Sequence, residues 1–174
     1  DPAKAAAAAS AIDAALKSDP NDVPALMARA AIDESKGDGK AARLLYEKAL
    51  SRYSDFTPAK RGLSIQLAAT KEDDKRALEL GNKARETFST DADLARALGV
   101  LNYRAGNFGR AASLLQESAR TRTTDAELQF YLGMAQRQMK DTSAGNRSLQ
   151  RALDQGLSGE LAAEARKAMT PAAK

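Results

Sequence analysis

The sequence predicts an all-α chain built from a repeated antiparallel helical hairpin. Three observations carry this. First, 38 of the 174 residues are Ala, only 5% are aromatic, and Pro numbers five. Ala has the least to lose in a helix, and the β-branched and aromatic residues that favour strands are scarce. Second, small residues recur at near-constant spacing. Ala30, Ile65, Gly99 and Gly133 stand 35, 34 and 34 residues apart, as do Ala42, Ala77, Ala111 and Gly145. Third, turn-forming residues fall at the same place in each period.

Two further columns keep this register: Ala49, Ala84, Ser118 and Ala152, and Tyr46, Gly81, Leu115 and Leu149. Small residues at these positions suit close helix approach, with larger apolar residues one turn away. The turns are Lys36-Gly37-Asp38-Gly39, Lys71-Glu72-Asp73-Asp74, Ala105-Gly106-Asn107-Phe108 and Met139-Lys140-Asp141-Thr142. Gly, Asn and Asp end one helix and cap the next.

Taken in order, helices are predicted over 4–17, 23–35, 40–53, 58–70, 74–88, 92–104, 108–120, 126–139, 142–154 and 159–168. The first is Ala-rich, with Ile12 and Leu16 as an i,i+4 apolar pair. Asp19-Pro20-Asn21-Asp22 separates it from the second, with Asp22 as N-cap. Thr57-Pro58 starts the fourth, where the missing Pro N–H costs nothing. Asp91 and Asp125 are the caps expected before the sixth and eighth. No segment shows strand-like alternation.

The segment Leu98-Gly99 … Tyr103 … Gly106-Asn107-Phe108 … Ala111 … Leu115 resembles the tetratricopeptide repeat family. Gly37-Asp38 … Ala42 … Tyr46 … Ala49-Leu50 is similar, and Lys17-Ser18-Asp19-Pro20-Asn21-Asp22 resembles the exit from such a repeat. The resemblance divides a single domain, 1–174, into parts. Residues 4–22 carry the second helix of a truncated leading repeat. Full repeats cover 23–57, 58–91, 92–125 and 126–159, and a terminal helix covers 160–168. The repeat at 58–91 diverges, because Ile65 and Gly81 replace the usual small and large residues. Gly145 replaces the usual Ala in the last repeat.

The resemblance implies a right-handed superhelix whose first helices line a concave, partner-holding groove. Its lining would comprise Met27 and Glu34, then Gln66, then Arg96, Val100, Tyr103 and Arg104, then Phe130, Met134 and Arg137. Aromatic, Met and Arg side chains are enriched at protein interfaces. Tyr103, Phe130 and Met134 have a second reading, as packing between neighbouring helices. The Lys–Asn combination with which some family members grip a partner's C-terminal carboxylate is missing, so that mode is not carried over.

Charge adds a bias. The net charge is +4. Residues 1–91 carry 15 basic and 15 acidic side chains, whereas 92–174 carry 12 and 8, so the whole excess lies in the second half. That favours a protein or peptide partner of acidic character. Nucleic acid is not expected: Lys and Arg never run longer than two, and no stacking ladder occurs. Membrane insertion is not expected either, because no stretch approaches eighteen apolar residues.

The chain has no Cys and no His. Disulfides, thiol chemistry, a Ser/His/Asp triad and His-ligated zinc are thereby excluded. Asp33-Glu34-Ser35-Lys36-Gly37-Asp38-Gly39 lacks the glycine position and closing Glu of a calcium loop. Gly37-Asp38-Gly39-Lys40 is too short for a phosphate loop. Asp73 and Asp74 are adjacent turn residues that can cap a helix rather than a convergent carboxylate pair. No cofactor and no enzymatic activity are expected. The alternative function is a structural module that self-associates or extends a longer array through its end helices. Asp1 is not Met, so a processed chain or an excised piece is expected. The compartment stays open: cytoplasmic, or periplasmic if a leader has been removed.

Overall fold

A computed structural model describes residues 2–170. Ten α-helices and no strands occur among the described residues. They are α1 (Pro2–Ser18), α2 (Val23–Ser35), α3 (Gly39–Arg52), α4 (Thr57–Thr70), α5 (Asp74–Thr87), α6 (Ala92–Arg104), α7 (Phe108–Ala119), α8 (Ala126–Gln138), α9 (Thr142–Asp154) and α10 (Gly159–Met169). The chain forms two compact units, Asp1–Thr87 and Phe88–Lys174.

In the first unit α2 packs on α3 and α4 on α5, with α1 against α2 and α3 against α4. In the second, α6 packs on α7 and α8 on α9, while α8 also meets α6 and α7, and α10 lies against both α9 and α8. The repeat columns are the packing surface. Ala30, Ala42, Ala49, Ala77, Ala84, Ala111, Ser118 and Ala152 are all fully buried.

Glycine marks the tightest contacts. A Cβ on Gly99 would lie 2.6 Å from Leu115 Cγ. One on Gly133 would lie 2.8 Å from Leu149 Cγ and 2.9 Å from the Gly145 carbonyl oxygen. Gly145 faces Gly133 and also lies under the stem of Arg137, which accounts for glycine where the repeat usually has Ala. In the same columns α4 carries the half-buried Ile65 and α5 the buried Gly81. In the first unit the Tyr46 ring lies directly over Gly62.

Turn chemistry is equally regular. Asp22, Asp38, Asp73, Asp91, Asp125 and Asp141 each accept a hydrogen bond from the backbone N–H three residues on, at 2.7–2.9 Å. Each satisfies an amide that the helix leaves unpaired. Four turns share a second bond: Asp38, Asn107, Asp141 and Leu157 donate their N–H to the carbonyl five residues back. This geometry needs a left-handed residue. Gly37 and Gly106 supply it at φ 79°, but Lys140 does so at φ 68°.

Candidate functional site

The first helices of the hairpins carry the predicted lining, and each unit treats its share differently. In the first unit Met27 is half-buried on α2. Glu34 and Gln66 are joined to each other, with Gln66 Nε2 donating to Glu34 Oε1 at 2.7 Å. The Tyr46 hydroxyl also bonds Glu34. Burial and the Glu34 carboxylate push that hydroxyl's pKa well above its ordinary value, with Arg61 opposing. Glu34 and Gln66 are therefore struts linking α2, α3 and α4.

In the second unit Arg96 is also internally engaged. Its Nε lies 2.8 Å from Asp125 Oδ2 and its guanidinium 2.6 Å from Glu127. Arg122 reaches the same Asp125 oxygen at 3.0 Å and pairs with Asp93. Burial acts to raise the Asp125 pKa, but the Leu128 N–H, Arg96 and Arg122 outweigh it and hold the carboxyl below its ordinary range. Burial likewise opposes the Arg96 charge, and Asp125 and Glu127 more than restore it. One carboxylate thus caps α8 and ties two arginines. These residues line an open polar hollow with Thr124 and Ala126.

Val100 and Phe130 are core residues, at 4% and 1% exposure, and do not line a groove. The physical reason is visible along α8, where every residue from Leu128 to Gly133 is buried. Six successive residues sweep the full helix circumference, so no bare face remains at that level. Phe130 joins an aromatic chain. Phe108 and Tyr103 lie 5.7 Å apart, Tyr103 and Tyr131 5.3 Å, and Tyr131 and Phe130 5.2 Å, all tilted or edge-on. Such geometry suits the ring quadrupoles.

Tyr103 is half-buried at the edge of this cluster, and Met134 packs against it. Burial, Glu164 and Tyr131 raise the Tyr103 hydroxyl's pKa. Arg104 and Arg137 are half-buried, and Arg137 donates to Asn146 on α9. Of the predicted lining in this unit, Tyr103, Arg104, Met134 and Arg137 therefore keep some solvent exposure.

Sequence reasoning missed the cover supplied by α10. Its signal was present as the apolar spacing Leu157, Leu161, Ala165, Ala168 and Met169, which a helix must bury on one side. Among the described residues no group of three or more acidic side chains could hold a metal ion. No helix there is long and apolar enough to cross a membrane.

No protein-family model and no curated protein sequence matches the chain. Solved structures do. A crystal structure of MamA is 18% identical, covers 85% of this chain and 80% of its own, and has a TM-score of 0.64. TTC0263, a thermophilic tetratricopeptide protein of Thermus thermophilus, is 20% identical over 94% of this chain and 89% of its own, with a TM-score of 0.57. YrrB, described as a tetratricopeptide protein with an unusual peptide-binding site, is 21% identical over 91% of this chain and 99% of its own, with a TM-score of 0.58. These likenesses establish a tetratricopeptide-type fold.

Proposed function

We propose that this tetratricopeptide-like chain is a non-catalytic scaffold that holds a protein or peptide against its first helices. The observation that carries the reading is a hairpin fold shared with YrrB across most of both chains, together with partly exposed Tyr, Met and Arg side chains on α6 and α8. Helical repeats expose extended surfaces rather than enclosed reaction chambers. The binding residues are Tyr103, Arg104, Met134 and Arg137 in the second unit, with Met27 in the first. The basic excess of residues 92–174 favours acidic partner segments.

The test is affinity capture from source cells with the wild type and an Arg104→Ala/Met134→Ala/Arg137→Ala variant. These positions are half-buried, and circular dichroism of the variant checks that its fold is kept. Loss of at least about tenfold in captured partner is expected, equivalent to roughly 1.4 kcal/mol. Equal capture by both would sink the reading.

A further inference from the structure

The helix α10 is held by few deep contacts. Ala162 and Ala165 are its only fully buried side chains, at 2% and 0% exposure. Leu161, Ala168 and Met169 are half-buried against the cluster that contains Val100, Phe130 and Tyr131. Ser158, at its N-cap, makes no side-chain cap bond. The approach from α9 runs through Gly156 at φ 89° and Gly159 at φ 63°, conformations that glycine adopts without strain. A small apolar stripe with half-buried larger side chains beside it describes a helix seated on a surface built by other elements.

That surface is the one the binding reading needs. Met134 and Tyr103 border it, and the Glu164 carboxylate of α10 is close enough to perturb the Tyr103 hydroxyl. We propose that α10 is a displaceable occupant of the face built by α8 and α9, and that the partner is an amphipathic helix of the same chemistry which takes its place. This rests on the scaffold reading and narrows it. The partner is helical rather than extended. It carries small residues at i and i+3, as Ala162 and Ala165 do, with a carboxylate just before the second. Such a stripe allows close approach to the aromatic cluster, and the carboxylate comes to the side of the Tyr103 hydroxyl. Because α10 is tethered, it competes at high effective concentration. Only a partner that outcompetes the tether, or a change that lifts α10, opens the face.

Hydrogen exchange on the unmodified full chain is the first test. The amides of α10 should exchange through an opening at least about tenfold more populated than that of α8 and α9, because local openings need not involve the whole unit. Exchange of α10 only together with α8 overturns the proposal. The second test uses a labelled peptide of residues 157–170 and the full-length Ala165→Arg variant, whose own α10 cannot seat. The peptide should bind this variant at least about tenfold more tightly than it binds wild type, and an Ala165→Arg peptide should bind neither. Equal affinity, or no binding to either, overturns the proposal. A captured protein that binds while α10 stays protected also overturns it, yet leaves the scaffold reading intact.

Discussion

Gly133→Ala separates helix propensity from helix packing. In an exposed helix interior, replacing Gly by Ala stabilises by about 1 kcal/mol. At Gly133 the new methyl would sit 2.9 Å from both the Gly145 carbonyl oxygen and the Leu149 backbone nitrogen. Those are backbone atoms, so relief requires α8 and α9 to move apart. Overpacking of this kind costs about 1–3 kcal/mol. Two backbone collisions place Gly133 at the upper end, for a net loss of about 2 kcal/mol after the propensity gain. Gly109 is the control, because a methyl there meets nothing within 4 Å. Gly109→Ala should gain up to about 1 kcal/mol. Urea denaturation followed by far-ultraviolet circular dichroism reads both. The reasoning is refuted if Gly133→Ala is neutral or stabilising, since the hairpin would then not close on its glycine column.

Phe130→Ala should cost about 3–5 kcal/mol as a buried aromatic deletion, whereas the half-buried Met134→Ala should cost about 1 kcal/mol, and thermal melts would expose a reversed order. Asp125→Ala should cost about 2 kcal/mol through the lost cap and the loosened Arg96 and Arg122. The Asp125 pKa is lower folded than unfolded, so its contribution is present above the unfolded value of about 3.9 and lost as pH falls through the folded value. Asp125→Asn keeps a cap but removes that dependence, so its stability should fall less than wild type between about pH 5 and about pH 3. Equal acid slopes would contradict this. Lys140 holds a left-handed backbone at φ 68°. Lys140→Gly should therefore stabilise by about 0.5–1 kcal/mol, and a lowered melting temperature would count against the turn assignment.

Much of the fold was legible because its determinants are local or periodic. The small-residue columns report helix contacts that recur every hairpin, and the Asp caps report their own helix starts. Ile65 and Gly81 were legible as an anomaly in these columns. The face was less legible. Val100 and Phe130 occupy first-helix positions, and sequence spacing assigns them to a groove. Their burial depends on which non-adjacent elements surround α8, and the repeat spacing carries no information about that. Arg96 and Glu34 show the same limit. A charged residue at a lining position reads as available until its partners are located in space: Asp125 and Glu127 for Arg96, Gln66 and Tyr46 for Glu34.

The central claim is that partners dock on the first-helix face of the second unit. The direct measurement is a hydrogen-exchange and cross-linking footprint of the full chain bound to its tightest captured partner. Protection and cross-links should gather around Tyr103, Arg104, Met134 and Arg137. A footprint confined to α1 or to the exposed Leu44 side of α3, with those four positions unchanged, would contradict it.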